Sequence, residues 1–159
     1  MLPRCLTMKK YQLPEFLEGV ITQEKYERWL QRKSIAHVRR DKHRGNSGAK
    51  NVEYKIAIHD AIIQSKGLDA YTKEKLDWSL LGKWNNEEAK KRGRHHKREF
   101  YRLPSLDHIG DGRGKPEFKI CAMLTNDVKS DLSHEELLDF CEKLLRAADR
   151  WPDGSDVLK

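Results

Sequence analysis

Cysteine is scarce and poorly spaced for either of its structural uses. Cys5, Cys121 and Cys141 are odd in number and far apart, and no two form a CxxC pair. That argues against a Cys-based zinc site and against a disulfide framework. A reducing, cytoplasmic setting is the expectation that follows. Long apolar runs are missing too. No stretch approaches the roughly 20 residues of a membrane span, and the opening MLPRCLTMKK has no apolar core of the kind a secretory signal carries. Acidic residues fall short of basic ones, 25 against 32, which leaves a net charge of +7. A polyanion, with nucleic acid first in line, is the partner such a balance suggests.

What is present is enough for one core. The 159 residues include four Trp, five Tyr and four Phe, large side chains that anchor a single domain of this length. Residues 1–13 read as an arm. Thr22 caps a predicted helix in which Tyr26, Trp29, Leu30 and Ala36 recur at helical spacing, and whose basic tail runs into the breaker Gly45-Asn46-Ser47-Gly48. A second helix over about 52–66 carries the stripe Tyr54, Ala57, Ile58, Ala61 and Ile62, and Gly67 stops it. A turn over 69–74 precedes the apolar group Leu76, Trp78, Leu80 and Leu81. Residues 82–98 read as a polar connector.

Residues 100–109 read as a strand with a polar end, and Gly110, Gly112 and Gly114 as a flexible loop. Phe118 to Leu124 is the returning strand, with Phe118, Ile120 and Ala122 on one face. Ser133 and Glu136 match a capping box for a last helix, whose expected buried stripe is Leu137, Phe140, Cys141, Leu144 and Ala148. The pattern predicts an α+β protein: a mainly helical N-terminal region, 1–68, packed as one unit on a hairpin-and-helix region, 69–159.

Two basic clusters stand out as candidate phosphate contacts. One contains Arg39, Arg40, Lys42 and Arg44; the other contains Lys90, Lys91, Arg92, Arg94, Lys97 and Arg98. Closely spaced cations release several counterions on binding nucleic acid. His95 and His96 are expected to belong to the second basic face. His37 and His59 are expected to be packing or surface residues, Trp29, Trp78 and Trp84 core anchors, and the cysteines buried bystanders.

The chemistry-bearing stretches are Leu106-Asp107-His108-Ile109 and Thr125-Asn126-Asp127-Val128-Lys129-Ser130-Asp131-Leu132-Ser133. In the order strand, strand, helix, they resemble the HNH, or ββα-metal, endonuclease family. The second stretch is similar to the N-x-x-K-S-D segment of the HNH domain in CRISPR effector enzymes. Upstream, Tyr71-Thr72-Lys73-Glu74-Lys75-Leu76 is similar to the Y-[ST]-G-x-x-[LI] run leading into such domains, with Lys73 where glycine is usual.

The resemblance implies a ββα-metal core and a Mg2+- or Mn2+-dependent endonuclease acting on double-stranded DNA, as a monomer or a homodimer. Host defence, restriction and mobile elements are contexts it suggests. By that resemblance His108 is the general base, Asp107 and Asn126 hold the metal, and Lys129 reaches a phosphate oxygen. A histidine near its ordinary pKa accepts a proton from water at neutral pH, and a hard divalent ion on oxygen ligands stabilises phosphate and leaving group.

Two departures from the family pattern remain open. The middle Asn, which orients the catalytic His, is replaced by Pro116-Glu117-Phe118. A backbone carbonyl, Glu117, or a degraded site are the three alternatives. The last metal ligand is also missing, with Ser130, Asp131 and His134 nearby. A non-catalytic nucleic-acid-binding module on a decayed HNH fold is therefore the competing expectation. A basic adaptor for an acidic protein is a third.

Overall fold

The computed structural model describes residues 10–152, so Cys5 and most of the expected arm lie outside the described residues. The chain divides into two compact units, 1–126 and 127–159.

The first unit starts on Tyr11 and Leu13, which pack against the core. Helix α1 spans Gln23–His43, and Thr22 caps it by accepting the Lys25 N–H at 3.2 Å. Its buried residues are Tyr26, Trp29, Leu30, Ser34 and Asp41. Ala36, expected in that stripe, is exposed; at 3.6 residues per turn it lies some 240° round from Leu30, whereas 34 and 41 stay on the core side. Helix α2, Asn51–Ser65, buries Tyr54, Ile58, Ala61 and Ile62. It ends with Lys66 in the left-handed region at φ 50°. Helices α1 and α2 pack together, and α2 also lies against the sheet.

The presumed connector is helical. Asn85 caps α3, Asn86–Arg92, by accepting the N–H groups of Glu87 and Glu88. After Gly93 comes α4, Arg94–Glu99. His96 does not join the basic face. It is 4% exposed and packs with ring centroids 4.9 Å from Trp84 and 4.8 Å from Phe100. Trp84 itself is partly open to solvent, so only Trp29 and Trp78 are buried anchors.

The sheet has two antiparallel strands, β1 (Pro104–His108) and β2 (Phe118–Ala122), with Pro104 opposite Ala122 and His108 opposite Phe118. β1 is shorter than expected because Phe100–Leu103 are taken up in turns after α4. Leu106, Phe118, Ile120 and Ala122 enter the core with α1 and α2, each large apolar side chain contributing roughly 1.5–3 kcal/mol by burial. Helix α5, Met123–Lys129, follows β2 without a loop. Asn126 therefore sits inside this short helix, which is separate from the last one.

In the second unit, Ser130 turns the chain at φ 51°. Ser133 and Glu136 form the capping box of α6, His134–Ala147. The stripe expected to be buried is mostly open. Leu137 is buried, but Phe140 and Leu144 are more than half exposed, Cys141 is exposed and Ala148 is exposed. One helix in so small a unit has nothing of its own with which to cover an apolar face. Among the described residues, no helix is long and apolar enough to cross a membrane.

Candidate functional site

Successive side chains on a strand point to opposite faces. On β1 this puts Ser105 and Asp107 on one face and Leu106 and His108 on the other, and each face carries its own buried carboxylate network.

The first network is built on Asp69, which is fully buried. Its Oδ1 accepts the N–H groups of Tyr71 and Thr72 at 2.8 and 3.1 Å. Its Oδ2 accepts the Ala122 N–H at 2.8 Å and the Thr125 hydroxyl at 2.6 Å. Burial alone would raise the Asp69 pKa; these donors outweigh it and hold the carboxyl below its usual value. The tight loop after Asp69 places Lys73 at φ 63° and directs the Tyr71 hydroxyl to donate to Asp107 Oδ2. Burial and the Asp107 carboxylate push the Tyr71 pKa far up, so the phenol stays protonated. On the same side, Asn126 Nδ2 donates to Ser105 Oγ at 3.3 Å. Asp107 and Asn126 thus belong to one hydrogen-bonded region, fastened through Tyr71 and Thr125 to Asp69.

The second network is built on Asp41, also fully buried. Tyr54 donates its hydroxyl to Asp41 Oδ2 at 2.5 Å, and Arg40 Nε donates to Oδ1 at 3.3 Å. His108 Nε2 lies 2.9 Å from Asp41 Oδ2, with the imidazole side chain 5% exposed. Neither ring nitrogen of His108 makes an aligned hydrogen bond, so this is a close polar contact with the Asp41 carboxylate. The His108 ring stacks parallel to His37 at 6.1 Å and meets Phe118 edge-on at 5.0 Å. Burial lowers the His108 pKa, and the Asp41 carboxylate opposes that. Burial and the Arg40 guanidinium bring His37 down to about 3. For Asp41, burial pushes upward, but Tyr54, His108 and Arg40 together hold the carboxyl below its usual range. Burial and Asp41 push Tyr54 up to about 12.

The glycine loop closes over this second network. Asn46 Nδ2 donates to the carbonyls of Gly112 and Gly114 at 3.0 and 3.3 Å. A Cβ at Gly112 would stand 2.6 Å from Asp41 Oδ1, and Gly112 has φ 79°.

The structure therefore carries Asp107 and the Ser105 that Asn126 contacts on one face of β1, and His108 on the other. Lys129 is the last residue of α5 and buried, in the second unit. Asp131 and His134, also in that unit, are exposed. Of the basic candidates, Arg39, Lys42 and Arg44 are exposed on or beside α1, while Arg40 turns inward to Asp41. Lys91, Arg94, Lys97 and Arg98 are exposed; Lys90 pairs with Glu87 at 3.0 Å and Arg92 pairs with Glu99. Glu117 is exposed and takes no part.

Sequence reasoning missed Asp41, Tyr54 as its donor, and Asp69. Asp41 had a readable signal: it continues the 26–30–34–37 core face of α1, where an aspartate demands a buried partner. Among the described residues, no three His, Cys, Asp or Glu side chains gather as a metal-binding group. Comparison of the chain with family models, with curated proteins and with solved structures finds no match in any of the three.

Proposed function

We propose that the chain is a metal-dependent DNA endonuclease built on an HNH-like ββα core. The observation that carries this reading is the hairpin running directly into a helix, with Asp107 and His108 on its first strand and Asn126 on the helix. Asp107 and Asn126 lie in one hydrogen-bonded region. Their oxygens suit a hard divalent ion such as Mg2+ or Mn2+, which is commonly held by one or two protein groups and completed by water and phosphate. With the Asn126 amide nitrogen turned to Ser105, the carboxamide oxygen is the atom that would join Asp107 in holding it. A cation there supplies neutralisation of the scissile phosphate and the departing 3′-oxygen.

His108 is the general base in this reading. In an in-line displacement the attacking water and the leaving oxygen stand on opposite sides of phosphorus. A base on one face of the strand end and oxygen ligands on the other match that division. Arg39, Lys42 and Arg44, together with Lys91, Arg94, Lys97 and Arg98, supply exposed positive charge for the duplex backbone.

The test is incubation with supercoiled plasmid in Mg2+, Mn2+ or EDTA. Nicking that needs the divalent ion, and that falls by orders of magnitude in His108→Ala, is expected. Parent-rate cutting by His108→Ala overturns the reading. A second reading, a binding module without catalysis, draws on the burial of the His108 imidazole. It predicts EDTA-insensitive, salt-dependent DNA binding and no cleavage with any divalent ion.

A further inference from the structure

Asp41 occupies the place that the sequence leaves empty. The chain has no Asn after the glycine loop to orient His108, and Glu117 faces solvent. From a helix more than sixty residues upstream, a fully buried carboxylate comes within 2.9 Å of His108 Nε2. Three separated segments fix that carboxylate. Tyr54 on α2 donates to it at 2.5 Å, Arg40 holds its other oxygen, and it fills the space that a Cβ at Gly112 would need. A carboxylate so held can only act as an acceptor towards the imidazole, since it carries no proton of its own.

We propose that Asp41 is the positioning residue of the base: it holds the proton of neutral His108 on Nε2 and leaves Nδ1 as the nitrogen that takes a proton from water. This rests on the nuclease reading and deepens it, since it names both the reacting atom and the group behind it. The contact falls short of a linear hydrogen bond, and such contacts tighten when substrate is bound. The Gly110 carbonyl pulls weakly on the ring in the same sense as Asp41. Neither contact is an aligned hydrogen bond; Asp41 is the ionised acceptor and lies 2.9 Å from Nε2, and that selects the tautomer. The proton balance is simple. His108 Nδ1 takes one proton from the attacking water as its oxygen bonds to phosphorus and the P–O3′ bond breaks; the 3′-oxygen leaves with a proton from solvent, the imidazolium against Asp41 returns its proton to solvent, and Asp41 remains ionised throughout.

The test uses the full chain with Asp41→Asn, Asp41→Ala and His108→Ala. Tyr54 and His108 Nε2 meet the same Asp41 oxygen, Oδ2, so Asp41→Asn leaves only a neutral, weaker acceptor facing Nε2, and Asp41→Ala leaves none. Nicking should fall by about 10²–10⁴-fold in kcat, the scale seen when a His-orienting Asp becomes Asn, with KM for DNA within about threefold. Imidazole 15N shifts should report Nε2–H in the parent and lose that fixed tautomer in Asp41→Asn, whereas His37→Gln, which loosens packing beside the same ring, should keep it. If His108→Ala is inactive while Asp41→Asn cuts at the parent rate, this inference fails and the nuclease reading stands. A parent His108 protonated on Nδ1 also overturns it alone. Absence of cleavage by the parent overturns the nuclease reading and the catalytic role of Asp41 with it. Should Asp41→Ala fail to fold, Asp41→Asn decides the question.

Discussion

Asp107 and His108 are joined by one peptide bond and serve two different carboxylate networks. Asp107 receives the Tyr71 hydroxyl on one face of the hairpin, and His108 meets Asp41 on the other. The two networks share no side chain and can be perturbed independently.

Tyr71→Phe removes one donor from Asp107 and leaves the ring in place. Groups that orient a metal-ligating carboxylate typically matter by 10–100-fold in affinity or activity. Nicking by this variant should therefore drop about tenfold or more at limiting Mg2+ and recover in part at high Mg2+. A Mg2+ titration identical to that of the parent would show that the hydroxyl does nothing for Asp107.

Gly110 and Gly112 both have positive φ, at 83° and 79°, but only Gly112 is crowded, with the Asp41 carboxylate in the space a Cβ needs. Gly110→Ala should cost about 1 kcal/mol from backbone strain alone. Gly112→Ala should cost about 3 kcal/mol, because it also displaces a buried charge. Urea melts of the two variants side by side check the contrast, and equal losses would refute it.

Lys73 sits at φ 63° in the loop that aims Tyr71, a conformation glycine accepts freely and lysine does not. Relief of about 1–2 kcal/mol is partly offset by the greater freedom of glycine in the unfolded chain. Lys73→Gly should stabilise the protein by roughly 0.5–1 kcal/mol without lowering activity. Chemical denaturation gives the sign directly.

Stability should fall on mild acidification. His37 is held neutral in the folded protein down to about 3, whereas in the unfolded chain it takes a proton near 6.5. The unfolded state therefore binds more protons through that window, and stability present above pH 6.5 is lost as the pH falls. His37 alone should remove about 2 kcal/mol between pH 7 and pH 5, and His108, also lowered by burial, acts in the same sense. His37→Gln should flatten the profile by about one proton's slope. A profile unchanged by that substitution would exclude His37 as the source.

The helices of the first unit were legible because their stripes obey one period: Tyr26, Trp29 and Leu30 on α1, and Tyr54, Ile58, Ala61 and Ile62 on α2, all enter the core. The alternation of Phe118, Ile120 and Ala122 likewise gave the inward face of β2. The stripe of α6 obeyed its period equally well and still lies open, since periodicity reports which face is apolar and not whether anything covers it. Asp107, His108 and Asn126 could be picked out by type and order. Their division between two faces follows from strand alternation, but the partners of each face come from residues 36–67 positions away along the chain, and no local pattern encodes that meeting. His96 was misread for the same reason: a histidine in a basic run looks solvated until Trp84 and Phe100 close on it.

Asp69 touches neither Asp107 nor Asn126 in the bonds described, yet its two oxygens govern where both of them stand. One oxygen shapes the turn that carries Tyr71, and the other grips the junction from which Asn126 rises. Any distance between the 107 carboxylate and the 126 carboxamide is thus surveyed from a common benchmark. A disturbance there shifts both at once, so changes at 69 and 107, or at 69 and 126, should combine to less than the sum of their separate effects.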